Sequence, residues 1–217
     1  MKILIGCEYS GIVREAFKRL NHDVWSCDII PTEIPGQHII NDVRNILDAG
    51  WDMMIAHPPC EHLASSGVAW WPAKQADGRQ QKAIDFFMLL INADIPMIAV
   101  ENPVGIMNTI YRKPDQIIHP YYFGDRDLKK TCLWLKGLPK LWYWSEDDLF
   151  GKRTMTEYPE PLYIHERKPS KNFKGGEIKK RYFVDHKGSK SGKERAKTFP
   201  GIAAAMASQW GVVDKRC

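Results

Sequence analysis

Cys60 and Glu101 are the residues of this sequence best set for covalent chemistry. Cys60 follows Pro58 and Pro59, which close an apolar run of strand length, Asp52 to Ala56. Two prolines fix two φ angles and withdraw two backbone donors, so the cysteine is carried on a stiff turn rather than in a continuing strand. Glu101 closes the next apolar run, Pro96 to Val100, and is followed by Asn102 and Pro103. One helix-length segment separates the two runs. A crossover of that kind brings both strands to end at the same edge of a parallel sheet, where open α/β folds bind ligands. A thiolate and a carboxylic acid at one edge can activate the C5 carbon of cytosine. The thiolate adds to C6, the acid supports a proton on N3, and C5 becomes a nucleophile able to attack a methyl sulfonium. This requires Glu101 to hold a proton, which burial would favour by raising its pKa. For Cys60 taken alone, a buried structural cysteine is the plainer alternative. His57, Cys60 and His62 are close in sequence, but no further ligand cluster and no CxxC pair accompanies them, so no metal is expected. His57, just ahead of the prolines, reads as a structural hydrogen bonder.

The segments ahead of Cys60 suggest a ligand cradle. Lys2 to Gly6 has the length and apolarity of a buried strand, Cys7 to Gly11 is a loop, and Ile12 to Leu20 carries a helical period. Strand, glycine-bearing loop and helix open a nucleotide-binding α/β unit. Gly6, Glu8, Tyr9, Ser10 and Gly11 are its candidate contacts, although the GxGxxG fingerprint is absent. Asp23 to Asp28 reads as a second strand. It ends in a carboxylate 22 residues after Gly6, the offset at which an acid meets a ribose hydroxyl. Capping a turn before Pro31 is the alternative for Asp28. After a third strand, His38 to Asn41, Asp42 can accept from an adenine amino group, cap the short helix near Arg44 to Asp48, or do both. Tyr9 and Trp25 either border the adenine or pack in the core.

Asp52 to Ala56 and Pro96 to Val100 are the fourth and fifth strands, with helices over Ala76 to Asn92 and Val104 to Tyr111. Glu61 to Trp71 reads as an ordered site loop, in which Trp70 and Trp71 stack on a base or are buried. Alternating strands and helices predict an α/β fold, a doubly wound, mostly parallel, Rossmann-like sheet. Thr131 to Leu135 and Leu141 to Trp144, separated by Gly137 and Pro139, predict an antiparallel hairpin at its edge. Pro200 to Trp210 is an alanine-rich helix expected to pack back beside the first strand. Residues 1–150 thus form a core, 151–197 a basic irregular insertion, and 198–217 a returning C-terminal helix.

Composition narrows the class. The chain has 217 residues, 44% of them hydrophobic, enough for one domain with a real core. No run has the length of a membrane span, and the first residues lack the pattern of a signal peptide. Five widely spaced cysteines predict free thiols in a reducing compartment, with Cys7, Cys27, Cys132 and Cys217 inert. The net charge of +5 is uneven. Residues 151–197 hold 14 Lys/Arg against 6 Asp/Glu, and the remainder 17 against 20. A near-neutral body with a basic segment suggests a polyanionic partner, with Arg181 and Arg195 among the candidate phosphate contacts; a solvated lysine-rich loop is the alternative.

The ordered set resembles the cytosine-C5 DNA methyltransferase family. The matching features are strand–loop–helix at Ile3 to Phe17, acids at Asp28 and Asp42, Pro59-Cys60, Glu101-Asn102 and the closing helix Pro200 to Trp210. The resemblance covers about residues 1–111 and 198–211. It implies S-adenosyl-L-methionine as cofactor, held by Gly6, Glu8, Tyr9, Ser10, Gly11, Asp28, Asp42 and Pro58. It also implies Cys60 and Glu101 as the catalytic pair, with DNA as partner, either a duplex with a flipped base or a single strand. The chain departs from the family at several points. Its first loop is Gly-Cys-Glu-Tyr-Ser-Gly where the family usually has Phe-x-Gly-x-Gly. Glu61 stands where glutamine is usual, and Pro103 where valine is. Lys129-Lys130-Thr131 is the stand-in for a Gln-x-Arg-x-Arg strand. A full target-recognition domain is missing, so the resemblance is to a compact, phage-like branch acting in the cytoplasm, that of the host for a phage-encoded protein. Three alternatives remain open at this level. His57-Pro-Pro-Cys60 also resembles the Asp-Pro-Pro-Tyr type motif of adenine-N6 and cytosine-N4 methyltransferases. The substrate could be a free cytosine nucleotide, or the fold could bind nucleic acid without chemistry.

Overall fold

The computed structural model describes residues 1–125, 129–143 and 197–212. Seven strands form one sheet in the order β3-β2-β1-β4-β5-β7-β6. They are β1 (Lys2–Gly6), β2 (Asp23–Asp28), β3 (His38–Ile40), β4 (Met53–Ala56), β5 (Met97–Pro103), β6 (Gln116–Ile118) and β7 (Thr131–Lys136). The first five are parallel, and β7 runs antiparallel between β5 and β6. The helices are α1 (Ile12–Lys18), α2 (Trp71–Ala76), α3 (Arg79–Ile91), α4 (Met107–Ile110) and α5 (Pro200–Trp210). This is the expected α/β, doubly wound, mostly parallel sheet. Among the described residues, no helix is long and apolar enough to cross a membrane.

Successive residues of a strand point to opposite faces, and here both faces are covered. Ile3 and Ile5 of β1 pack in one core with Phe17 of α1 and Met206 and Trp210 of α5. Leu4 between them joins the other core, with Phe87 and Leu90 of α3 and Trp134 of β7. Burial on both sides is why the central strands are apolar throughout instead of alternating. The returning helix α5 lies where it was expected, in the core shared with the first strand.

Two expectations are corrected. Leu141–Tyr143 is not a strand, and the partner of β7 is β6, with Ile117 opposite Cys132. Side-chain amides replace a ladder beyond Pro139. Gln116 bonds both the N–H and the C=O of Leu141 at 2.8 Å, and Gln209 does the same for Trp142 at 2.6 and 2.9 Å. The helix expected over Ala76 to Asn92 begins only at Arg79, after Gly78 (φ 76°), and a separate short helix, α2, precedes it. The basic insertion, except Lys197, lies outside the described residues, as do Trp144 and residues 213–217. Lys197 ion-pairs with Glu33 at 2.6 Å.

Arg14 locks the loop after β2. It is fully buried and donates to Ser26 Oγ at 2.9 Å, Thr32 Oγ1 at 3.2 Å and the Ile34 carbonyl at 2.5 Å, and it pairs with Glu15. Its guanidinium fills the space where a Cβ on Gly11 or Gly36 would sit, 2.7 and 2.8 Å away. Arg14→Met would remove three donated hydrogen bonds at once, leaving the Thr32 hydroxyl as a donor to the Ile34 carbonyl and His38 as the partner of Ser26 Oγ. The expected loss is about 3 kcal/mol, a fall of roughly 6–12 °C in Tm at this chain length. Thermal denaturation checks it; an unchanged Tm would mean the loop closes without this bracket.

Candidate active site

The parallel strands β1, β2, β4 and β5 place the chain after Gly6, Asp28, Ala56 and Val100 along one edge of the sheet. Register decides what meets there. Ala56 pairs with Val100, so the next residues, His57 and Glu101, stand side by side. His57 Nδ1 donates to Glu101 Oε2 at 3.2 Å, with only 6% and 18% of the two side chains exposed. His57 is therefore the hydrogen bonder its position suggested, and its partner is the candidate catalytic acid.

Beyond His57 the two prolines turn the chain out of the sheet. The Pro58 carbonyl accepts from Asn102 Nδ2 at 2.9 Å, tying the Pro-Pro-Cys turn to the end of β5. Leu63 and Ala64 donate backbone bonds to the Cys60 carbonyl, so a single helical turn follows the cysteine. The second tie is closer still. Ala64 bridges to Gly105, Ser65 N–H donates to the Val104 carbonyl, and Ile106 N–H donates to the Leu63 carbonyl, both at 2.9 Å. The chains that follow Cys60 and Glu101 are thus bonded to each other.

Cys60 itself is exposed at the residue level. Its sulfur is nevertheless crowded, and this partial burial, followed by the Glu101 carboxylate, pushes the thiol pKa up, while Lys129 pulls it down. The ties from Asn102 to Pro58 and from Ala64 to Gly105 hold the turn that carries Cys60 at the sheet edge where Glu101 stands. For Glu101 the expected direction is reversed. Burial pushes its pKa up, but the hydrogen bond and charge of His57, with Lys129, hold it below the ordinary carboxyl value. Lys129, expected as a stand-in for the missing arginine strand, acts on both residues.

The cradle ahead of β1's helix divides into two parts. A cavity of about 580 Å³ is lined by Cys7, Asp28, Asp42, Arg44, Pro59 and Phe86, among others. Asp28 sits at the end of β2 with its carboxyl pKa raised by burial, which outweighs backbone hydrogen bonds from Ile30 and Ile29 and the charge of His38. Asp42 caps the turn Val43–Ile46 by accepting from Arg44 N at 3.0 Å. The Arg44 guanidinium also grips both of its oxygens and holds its pKa down. Of the two roles open to Asp42, the cap is formed. Pro59, and not the expected Pro58, lines the cavity, because Pro58 is buried and turned to Asn102.

The loop Cys7 to Gly11 borders a separate narrow recess, lined by Cys7, Glu8, Tyr9, Ser10, His57 and Thr198. Glu8 is buried and its carboxylate accepts from Val13 N at 2.7 Å, Arg14 N at 3.3 Å and Ser10 Oγ at 3.1 Å. Its charge therefore serves the N-terminus of α1. Gly11 caps α1 in the left-handed region, φ 76°. Gly6 is buried at the end of β1, where an added Cβ would lie 3.2 Å from Val43. Cys7 adopts φ 57°, uncommon for a residue with a side chain, and its thiol is pushed far up by burial and by Asp28, Cys27 and Asp42. Cys7 and Cys27 are thus protonated thiols lining the cavity. Phe86 of α3, partly buried against the core, is a lining residue that the sequence reading does not include. Trp70 is 70% exposed, whereas Trp71 is half-buried with its indole N–H inside the protein. Among the described residues, no three His, Cys, Asp or Glu side chains gather closely enough to hold a metal.

No family model matches the sequence, and no curated protein does. Solved structures do show a likeness. One is described as a DNA modification methyltransferase encoded within a prophage (E. coli), with 18% identity and a TM-score of 0.45 over 80% of this chain and 62% of that one. Another is the Entamoeba histolytica methyltransferase EhMeth, with 16% identity and a TM-score of 0.43 over 70% of this chain and 56% of that one. The chain spans less than two thirds of either. The chemistry of the site rests on its own residues.

Proposed function

We propose that this protein transfers a methyl group from S-adenosyl-L-methionine to C5 of cytosine in DNA. The observation that carries the reading is the placement of the Cys60 turn and Glu101 at one sheet edge by strand register and backbone ties, beside a carboxylate-lined cavity. The cavity has the size of a small-molecule site. Asp28 keeps acceptor capacity for ribose hydroxyls, Ile29 and Phe86 offer apolar surface to an adenine, and the backbone after Gly6 faces the polar end. When bound, the cofactor supplies an electrophilic methyl group.

The chain's own residues do the rest. A cytosine inside a duplex is out of reach, so the base must be flipped out or taken from a single strand, at a cost of a few kcal/mol. Cys60 Sγ, as the thiolate, bonds to C6 while Glu101 supports a proton on N3. The C5=C6 electrons are then available at C5 for methylation. Loss of the C5 proton re-forms the double bond and expels Sγ. Lys129 favours the thiolate, and the ties through Asn102 and Gly105 keep Cys60 in place against Glu101.

The test incubates the protein with labelled S-adenosyl-L-methionine and duplex or single-stranded DNA, then digests the DNA to nucleosides. Label in 5-methyl-2′-deoxycytidine is expected. Label in N4-methyl-2′-deoxycytidine or N6-methyl-2′-deoxyadenosine would overturn the C5 chemistry, and label in free nucleotide but not DNA would overturn the substrate. In parallel, S-adenosylhomocysteine at a hundred times its Kd should stabilise the protein by about 2.7 kcal/mol. Asp28→Ala should reduce the shift in Tm, since a half-buried carboxylate is lost from the cavity wall. Absence of any shift in the wild type would count against cofactor binding.

A further inference from the structure

We propose that His57 is a positioning residue that stores the proton Glu101 passes to cytosine N3. The proposal rests on the C5-methyltransferase reading above and adds to it a source for the acid.

The geometry leaves few alternatives for this imidazole. A carboxylate only accepts hydrogen bonds, so the 3.2 Å contact puts a proton on His57 Nδ1. The ring is more than nine-tenths buried, and its Nε2 is a buried atom with no hydrogen-bond partner among the described residues. Such an atom costs free energy wherever structure alone is at stake. A histidine that only braced Glu101 would be expected to have both nitrogens satisfied. Its place is fixed by the sheet, one register step beyond Ala56 and Val100, so it cannot avoid Glu101.

The surrounding charges fit a proton store. Glu101 faces the ring from β5. Cys7, Glu8 and Tyr9 face it from the loop after β1, with Glu8 turned to the N-terminus of α1. Cys60 follows it on the same turn, and Lys129, ahead of β7, acts on Glu101 and Cys60. Glu101 is held below the ordinary carboxyl value by His57 and Lys129 despite its burial. The acid that N3 needs therefore does not reside on Glu101 at neutral pH, and its neighbour is the group able to supply it.

The step balances. His57, protonated on both nitrogens, gives the Nδ1 proton to Glu101 Oε2, and Glu101 gives a proton to cytosine N3. The Cys60 thiolate lone pair forms the S–C6 bond, and the C5=C6 and C4=N3 electron pairs shift to C4=C5 and N3–H. His57 is left neutral with its proton on Nε2, and Glu101 is again a carboxylate. When Sγ departs, the N3 proton returns by the same route.

His57→Asn separates bracing from proton storage. The Asn amide nitrogen can occupy the place of Nδ1 and donate to Oε2, but it carries no transferable proton. Single-turnover transfer to cytosine-containing DNA is measured against pH for wild type and His57→Asn, with S-adenosylhomocysteine binding as the check on folding. The expected variant is about 10²-fold slower at neutral pH, with unchanged binding and with a falling limb that follows the Glu101 carboxyl instead of the imidazole, so that its position differs from the wild type. A variant whose profile keeps the wild-type shape, at full or uniformly reduced rate, overturns the proposal. If the variant does not fold, nitrogen NMR of the wild-type ring decides. A doubly protonated His57 at the pH of turnover supports the store, and a neutral one overturns it. A wild type that transfers no methyl group at all overturns the underlying reading, an outcome separate from a silent His57→Asn.

Discussion

Cys60→Ser is expected to abolish methyl transfer while leaving the fold and cofactor binding intact. The turn around Cys60 is held by Asn102, by the backbone bonds to its carbonyl and by the Gly105 bridge, none of which uses the sulfur. Cys60 is exposed at the residue level and belongs to neither core, so isosteric replacement removes no core packing. Chemistry is lost because a serine hydroxyl without an adjacent general base is a weak nucleophile toward C6. DNA carrying 5-fluorocytosine cannot lose its C5 substituent, so wild type with S-adenosyl-L-methionine should form a denaturation-resistant adduct that Cys60→Ser does not form. A Cys60→Ser protein that transfers methyl groups at the wild-type rate would falsify the covalent mechanism. The thiol pKa is raised by burial and by Glu101, so the reactive form is scarce below that pKa and grows as pH rises through it. Alkylation of Cys60 by iodoacetamide should therefore be slow at neutral pH and accelerate with pH. Glu101→Gln removes the repelling charge, and alkylation at a fixed pH should then become faster even though transfer becomes slower.

The second large effect is expected at Gly105, which touches no substrate. An added Cβ there would lie 2.0 Å from the Leu63 carbonyl oxygen, 2.8 Å from its carbon and 3.0 Å from Ala64 Cα. These are backbone atoms, so Gly105→Ala must push apart the segments after Cys60 and Glu101. The bonds from Ser65 to Val104 and from Ile106 to Leu63 would lengthen with them. A displacement of about 1 Å between reacting groups costs on the order of 10²-fold in rate. Transfer should fall by about that factor or more, with a lowered Tm. Binding of S-adenosylhomocysteine should persist, because neither Gly105 nor the residues it bonds line the cavity. Single-turnover rates and the ligand-induced thermal shift check both halves. Wild-type kinetics in Gly105→Ala would show that the bridge does not position Cys60.

Much of this architecture is written locally in the chain. The apolar runs Lys2–Gly6, Asp23–Asp28 and Met53–Ala56 are short, β-branched or apolar, and bounded by loops, so their strands follow from pattern alone. The same holds for α5, whose bounds were read as they stand, because Pro200 can begin a helix and alanine favours its interior. Alternation of strands and helices determined the parallel sheet, and a parallel sheet put Cys60 and Glu101 at one edge. Three-residue β6, between Pro114 and Pro120, is too short to show a period, and Gln116 and Gln209 satisfy a backbone that looked like a strand at Leu141.

What the tertiary structure alone decided is which side chains share their charges and hydrogen bonds. Burial by itself predicts a protonated Glu101, and only the register of β4 against β5 sets His57 beside it and reverses the direction. Asp42 could serve adenine, cap a turn or do both; the cap is formed with Arg44, and the carboxylate still lines the cavity. Glu8 could have faced a ligand, yet the free N–H groups of α1 lie within its reach and claim it. A sequence gives each residue its capacity to accept or donate, but the partner that uses that capacity lies tens of residues away along the chain, 44 in the case of His57 and Glu101. Only folding brings the two within hydrogen-bond distance.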